Sequence, residues 1–140
     1  MGTRAIYFFE ERLDNDSYYG VYKHYDGYPQ GAASHIEAAK EWAWKFPRFE
    51  ADEFASAFVA ANKNKDGGEI RLLPLFDNAS IDMMMQDYTW CDYYYVVRFE
   101  GGGLMVEIWE TLAFTSEDTG FKKKAEMTHD TMLRAYAEAS

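Results

Sequence analysis

Two runs rich in aromatic and β-branched residues most constrain how this chain can fold. They cover residues 88–99 and 104–110, and the short segment Glu100-Gly101-Gly102-Gly103 separates them. Such runs favour strands, and a short glycine-rich connection between them is typical of a β-hairpin. The sequence therefore predicts an antiparallel hairpin at the centre of a sheet.

The side chains of the first of these strands alternate between two faces, because successive residues of a strand point in opposite directions. We expect the core face to carry Cys91, Tyr93, Tyr95, Val97 and Phe99. The opposite face then carries Trp90, Asp92, Tyr94, Val96 and Arg98.

The first part of the chain predicts a second hairpin and a loop. Residues 4–10 and 17–24 have strand-like composition and flank a turn-like segment. The following loop, residues 25–31, contains two glycines and a proline, and we expect it to be irregular.

Two amphipathic helices are predicted next. One covers residues 33–46 and is ended by Pro47, with Trp42 and Trp44 at the two edges of its apolar stripe. The other covers residues 50–62, whose acidic first turn favours a helix N-terminus.

The remaining segments give weaker patterns. Residues 70–76 predict a short strand, and residues 121–126 predict a further strand. Residues 77–87 have no clear period and could form a loop or one helical turn, so we expect an irregular segment. Thr128 is placed to cap a last helix. The apolar stripe of that helix consists of Met132, Leu133 and Tyr136.

These elements predict one α+β domain that spans residues 1–140. Its 140 residues are a common size for one domain, and 48% of them are hydrophobic, which is typical of a folded protein. The helices occur together rather than alternating with strands. We therefore expect a mostly antiparallel sheet of about five or six strands with two or three helices packed on one face.

The charge of the chain disfavours several classes of partner. Its net charge of −10 would repel nucleic acid and anionic membranes, so neither is expected to bind directly. Residues 77–118 contain nine carboxylates and one basic residue, Arg98. This segment is therefore the expected acidic surface.

Cellular location is predicted from cysteine usage and hydropathy. The single cysteine, Cys91, cannot form an internal disulfide, and no apolar stretch approaches the roughly 18 residues of a membrane span. We expect a cytoplasmic protein.

Two segments near the start of the chain carry a resemblance. They are Met1-Gly2-Thr3-Arg4-Ala5-Ile6 and Val21-Tyr22-Lys23-His24-Tyr25-Asp26-Gly27-Tyr28-Pro29-Gln30-Gly31. The chain resembles a group of small uncharacterised proteins carried by bacteriophages, prophages and bacteria. The resemblance implies a phage or prophage setting with anti-defence or host-takeover roles, and no activity of individual residues.

The loop after the opening hairpin is the first candidate site. A histidine beside a carboxylate can perform acid–base chemistry, and an arginine can bind an anion. The alternative is structural: Asp26 forms a turn, and Arg4 makes an ion pair with Asp26. The candidate ligand-binding residues are Arg4, His24, Tyr25, Asp26 and Tyr28.

An acidic and aromatic surface is the second candidate site. Aromatic side chains on an exposed sheet face indicate an interface, although a second layer or a homodimer partner could equally cover that face. The candidate partner-binding residues are Asp82, Asp87, Trp90, Asp92, Tyr94 and Trp109.

Other reactive groups give weaker signals. Cys91 has no basic neighbour in sequence and is predicted to be a buried, inert thiol. His35 and His129 lack ligand spacing and are expected to be solvated helix residues. We predict no catalytic residue, no metal and no cofactor.

Three functions remain open at this point. The leading hypothesis is a non-enzymatic acidic protein that inhibits or modulates a basic host protein, such as a defence protein. The alternative is a binder or enzyme that takes an anionic nucleotide or metabolite at residues 25–31. The third is a structural or virion component with a large oligomeric interface, for which a homodimer is one form.

Overall fold

The structure, a computed structural model, describes residues 3–11, 18–63, 69–73, 80–87, 91–111 and 121–137. The strands in these residues are β1 (Ala5–Glu10), β2 (Tyr18–Lys23), β3 (Ile70–Leu72), β4 (Tyr93–Glu100), β5 (Gly103–Thr111) and β6 (Phe121–Thr128). The helices are α1 (Pro29–Trp42), α2 (Ala51–Asn62), α3 (Ile81–Asp87) and α4 (His129–Ala137).

The six strands form a single mixed sheet in the order β3-β2-β1-β4-β5-β6. All neighbouring strands are antiparallel except β1 and β4, which pair in parallel with Ala5 opposite Tyr93 and Glu10 opposite Arg98. This architecture confirms the α+β class and the mostly antiparallel sheet. The central parallel pair was not predicted.

Strand β1 is buried along its whole length. Tyr7 and Phe9 point to one face of the sheet, and Ile6 and Phe8 point to the other. The ring of Tyr7 stacks on that of Tyr95 in β4, with 5.0 Å between the ring centroids. Both faces of the sheet centre therefore need a covering layer.

Helices α1, α2 and α4 cover the first face, as predicted. Phe54 and Phe58 of α2 contact Phe9, with ring centroids 5.6 and 5.2 Å apart. Ile36 of α1 and Met132 of α4 are fully buried in the same cluster. These contacts make three helices into one layer in which α1 packs against both α2 and α4.

Helix α3 covers part of the second face, where the sequence predicted an irregular segment. Its residues Ile81, Met84 and Met85 are buried against Tyr94 and Val96. These three residues have the i, i+3, i+4 spacing of a helix, but a helix of seven residues is too short for the pattern to stand out in sequence. The hydroxyl of Ser80 accepts a hydrogen bond of 3.2 Å from the N–H of Met83 at its start. The expectation of an irregular segment was therefore wrong for Ile81–Asp87, where the helical alternative is confirmed.

The boundaries of α1 also differ from the prediction. The helix begins at Pro29, inside the segment expected to be irregular, because proline is well suited to the first helical turn. It ends at Trp42, before Pro47, because Ala43 is extended and the backbone N–H of Trp44 turns toward the carboxylate of Glu53.

The other helices follow their sequence signals. Helix α2 agrees with the predicted residues 50–62 within one residue. The hydroxyl of Thr128 accepts a hydrogen bond of 3.2 Å from the N–H of Thr131, which confirms the predicted cap of α4. Within the described ranges, none of the helices is long and apolar enough to cross a membrane.

Substitutions of two adjacent methionines in α3 test whether this helix packs on the sheet. Met84 is 1% exposed and Met83 is 55% exposed. We expect Met84→Ala to lower the free energy of unfolding by about 2–5 kcal/mol, because it leaves a cavity over the sheet. The matched control, Met83→Ala, should change it by less than about 0.5 kcal/mol in urea denaturation. Equal effects of the two substitutions would show that α3 does not cover the sheet.

Candidate functional site

The predicted loop site is held tightly against the sheet. The N–H of Gly27 donates to Thr3 O at 2.8 Å, and the hydroxyl of Tyr95 donates to Gly27 O. A Cβ added at Gly27 would lie only 2.6 Å from the Cβ of Ala5. Glycine is therefore required here because the loop lies directly on β1.

The second half of this loop leads into α1. Asp26 has a left-handed backbone, with φ of +59°, and its carboxylate accepts a hydrogen bond of 3.3 Å from the Tyr28 hydroxyl. A Cβ at Gly31 would lie 2.0 Å from Asp26 O, so the first turn of α1 packs closely on the loop. These contacts agree with the structural interpretation of Asp26 as a turn residue.

The five predicted ligand-binding residues do not line one cavity. His24 Nδ1 is 2.7 Å from the Tyr22 hydroxyl, and its ring contacts that of Tyr25 edge-on. Arg4 uses its backbone to bind Asp92, whose Oδ2 accepts from Arg4 N at 3.0 Å. Asp26 and Tyr28 line a groove between this loop, α1 and α4, whereas Arg4, His24 and Tyr25 do not. An ion pair between Arg4 and Asp26 stays a prediction.

The residues predicted to form the partner-binding surface differ in how far they are exposed to solvent. Tyr94 is fully buried, and its hydroxyl donates to Cys91 O at 3.3 Å, so this side chain cannot contact a partner directly. Trp109 is half-buried, whereas Asp92 is exposed. Trp90 and the side chains of Asp82 and Asp87 lie outside the described residues. At Tyr94 the structure shows the alternative in which a second layer covers this face, because Ile81, Met84 and Met85 of α3 lie in the same buried cluster. The prediction of Tyr94 as a partner-binding residue was therefore wrong.

Ion pairs also neutralise part of the acidic segment. Arg98 is 7% exposed and binds Glu100 at 2.8 Å, Glu126 at 2.7 Å and Glu107. Burial lowers the pKa of Arg98, but hydrogen bonds to these carboxylates outweigh it and raise the pKa overall. Lys123 also pairs with Glu126. This half of the second sheet face is therefore an internal salt-bridge network.

A wide groove runs between α1, α4 and the loop at Asp26. We call it the acidic groove, and its volume is about 810 Å³. Its charged lining residues are Asp26, Glu37 and Glu41, and none of the described lysines or arginines lines it. Tyr28 and Tyr136 supply aromatic surface, and Tyr28 is 39% exposed. The groove is thus acidic and aromatic, whereas the sequence predicted such a surface in residues 77–118.

Two buried histidines support the walls of the acidic groove. His129 Nε2 donates to Ala33 O at 3.0 Å and so ties α4 to α1. His35 Nδ1 lies 3.4 Å from the Tyr7 hydroxyl, and His35 O accepts from Asn62 Nδ2 at 3.2 Å. Both histidines are at most 5% exposed, so the expectation of solvated side chains was wrong. Each one lies where its helix packs against the rest of the domain.

A second cavity opens between the end of α1 and the start of α2. We call it the tryptophan pocket, and its volume is about 450 Å³. Trp42 and Trp44 line it and are 68% and 38% exposed. The rest of its lining comes from Glu50, Asp52, Glu53, Ser56, Ala57 and Ala60. Sequence indicated only that the two tryptophans lie at the edges of the α1 stripe.

The remaining reactive candidate is the thiol of Cys91. Cys91 is 1% exposed, and burial, with the nearby Asp92, raises the pKa of its thiol to about 12. This confirms the predicted buried thiol. Across the described part of the chain, no three His, Cys, Asp or Glu side chains are arranged to hold a metal ion.

Comparison with known proteins gives no further constraint. No protein-family model, curated protein or solved structure matches the chain. The function is therefore argued from the geometry of the two cavities.

The sequence contained part of the signal for the acidic groove. Glu37 and Glu41 follow the polar period of α1, and Tyr136 follows the stripe of α4. The packing of α4 beside α1, which brings these residues to one groove, is not visible in either helix alone. Only the structure therefore joins them into one site.

The tie between α4 and α1 is expected to depend on pH. Burial lowers the pKa of His129 from its usual 6.5, and the hydrogen bond to Ala33 opposes this only in part. His129 Nδ1 has no partner among the described residues, so a proton there would be buried without an acceptor. The folded state therefore binds this proton less readily than the unfolded chain does.

The sign of the pH effect follows from proton linkage. Stability from neutral His129 is fully present above pH 6.5 and is lost as the pH falls toward the lower pKa of the folded state. We expect a slope of at most about 1.4 kcal/mol per pH unit in this window. Urea denaturation at a series of pH values measures the free energy of unfolding, which should depend less steeply on pH in His129→Gln than in the unsubstituted protein. Identical pH dependence in the two proteins would show that His129 is not the group responsible.

Proposed function

We propose that this chain is a non-enzymatic interaction protein that binds a basic segment of another protein in the acidic groove. The observation that carries the proposal is the lining of the groove, in which Asp26, Glu37 and Glu41 are the charged residues. Opposite charge across an interface steers association and favours the correct partner.

Partial pairing leaves the acidic groove able to attract a cation. Glu37 lies 3.8 Å from Lys40, a distance and exposure at which an ion pair contributes little. Glu41 is exposed at the surface of α1. With a net charge of −10 on the whole chain, the surrounding field adds to the attraction of a basic partner.

The aromatic side chains suit a protein partner. Tyr28 and Tyr136 lie on the same groove as the carboxylates, beside the apolar Leu133. Tyrosine is enriched at interfaces because it offers a large contact area together with a polar hydroxyl. A basic amphipathic segment, with charged and apolar side chains, complements this combination.

The same lining disfavours the anionic-ligand alternative. Arg4 and His24, the residues expected to hold an anion, do not line the acidic groove. A nucleotide placed there would face carboxylates, which repel phosphate. We therefore retain the basic partner of the leading hypothesis and move the proposed contact surface from residues 82–109 to the α1–α4 face.

The resemblance at the start of the chain suggests the source of the partner. That resemblance implies anti-defence or host-takeover roles, so we propose a basic host protein, such as a defence protein, as the target that is inhibited or modulated. A basic segment of that protein would bind in the acidic groove. The segment would then no longer be free to contact another anionic molecule.

A peptide series tests the proposed charge preference. We expect a peptide rich in Lys and Arg to bind more tightly than its Gln-substituted version, and a Glu-substituted version not to bind. Fluorescence anisotropy measures each affinity, and the affinity of the basic peptide should fall as salt rises.

Charge-matched variants then test the location. The double variant Glu37→Gln/Glu41→Gln should bind the basic peptide about two- to tenfold more weakly, from the usual contribution of exposed charges. The control, Glu69→Gln with Glu110→Gln, removes the same charge from residues that do not line the acidic groove. Equal weakening by the two pairs, or equal affinity for basic and acidic peptides, would refute the proposal.

A further inference from the structure

The tryptophan pocket presents a surface that the fold does not require. Trp42 is 68% exposed at the last position of α1, although tryptophan is rarely left so open to water. Large exposed aromatic side chains beside a cavity are typical of binding surfaces. The pocket is therefore a candidate anchor rather than part of the core.

The chemistry of the pocket favours a cation with a flat face. Three acidic residues, Glu50, Asp52 and Glu53, line it together with the two tryptophans. The carboxylate of Glu53 also accepts a hydrogen bond of 3.2 Å from the N–H of Trp44. An indole ring attracts a cation through its electron-rich face, and carboxylates attract it by charge. Both kinds of group therefore select the same ligand.

The chain itself shows that one of these rings binds a guanidinium group. Arg48 lies over Trp44, with 3.5 Å between its guanidinium carbon and the ring centroid. Arg48 does not line the tryptophan pocket, so this contact leaves the cavity open. The ring of Trp42 is the more exposed of the two.

We propose that the tryptophan pocket binds an arginine side chain of the same basic partner segment, an inference that rests on the proposed function. The guanidinium stacks on Trp42 and is neutralised by the carboxylates at the start of α2. The pocket and the acidic groove lie on different sides of the last turn of α1, where Glu41 lines the groove and the next residue, Trp42, lines the pocket. One extended segment can therefore reach both.

Arginine is favoured over lysine by the geometry of its side chain. The guanidinium is planar, stacks on aromatic faces and presents several donors to carboxylates, whereas ammonium is a compact and strongly hydrated charge. The acidic groove attracts either residue by charge, and its tyrosines bind a cation less strongly than tryptophan does. Selectivity for arginine that depends on Trp42 therefore reports on the tryptophan pocket, and charge dependence reports on the groove.

Two peptides of equal length and charge separate these contributions. One carries Arg and the other Lys at every basic position, and fluorescence anisotropy gives their affinities for the full chain. We expect the Arg peptide to bind about three- to tenfold more tightly, from the usual strength of a guanidinium–indole contact. Indole N–H signals of Trp42 and Trp44 should shift in NMR spectra on adding the Arg peptide.

The Trp42→Ala substitution should lower the affinity for the Arg peptide to that for the Lys peptide. It should leave the affinity for the Lys peptide unchanged. The control, Leu72→Ala, removes a side chain that is 72% exposed on β3 and should alter neither affinity. Circular dichroism and urea denaturation confirm that both variants remain folded.

The outcomes distinguish the two proposals. Equal affinities for the two peptides, with no effect of Trp42→Ala, would overturn the arginine anchor while leaving charge-dependent binding in place. Failure of both peptides to bind would overturn the proposed function and the anchor together. Arg selectivity that persists in Trp42→Ala would also overturn the anchor, since the selectivity would then arise elsewhere.

Discussion

Parallel pairing of β1 with β4 places two largely apolar strands at the centre of the sheet, where neither face can be left in water. Tyr7 and Tyr95 stack on one face, and Phe8 and Tyr94 are buried on the other. The three-helix layer covers the first face and α3 covers part of the second. Most of both faces is therefore used for packing. A cavity of about 260 Å³ remains beside α3, and the larger acidic groove and tryptophan pocket are lined by the helical layer.

This constraint decides where acidic side chains remain available. On the second sheet face, carboxylates such as Glu107 and Glu126 are engaged by Arg98. On the outer side of the helical layer, the carboxylates of Glu41 and Asp52 line cavities together with exposed aromatic rings. The acidic groove and the tryptophan pocket flank α1 on its two sides, so one extended basic segment can contact both.

Local patterns in the sequence predicted most helices and strands, but not which strand faces are buried beneath the helices. Thr128 and the acidic first turn of α2 are local signals, and both helices begin where these signals place them. Alternation could not identify the buried face of β4, because Tyr94 and Tyr95 are both fully buried. A strand buried on both sides has a continuous apolar sequence, and periodicity then carries no information about its environment.

The candidate site was only partly predictable for a similar reason. The acidic and aromatic character of the surface follows from composition, but its position depends on contacts between distant residues, such as His129 with Ala33. Cross-strand pairing of Lys123 and Lys124 with Glu107 and Glu110 likewise neutralises a segment that is strongly acidic in sequence. Charge counted along a chain therefore overstates the charge of a surface when strands of opposite sign pair.

Hydrogen–deuterium exchange of the chain, with and without a saturating Arg-rich peptide, tests most directly that the helical layer is the recognition surface. Binding at the helical layer should slow exchange in α1, at the start of α2 and in α4, and leave exchange in α3 and β4 unchanged. Slower exchange confined to α3 and the following strand would contradict it, since binding would then occur on the second face of the sheet.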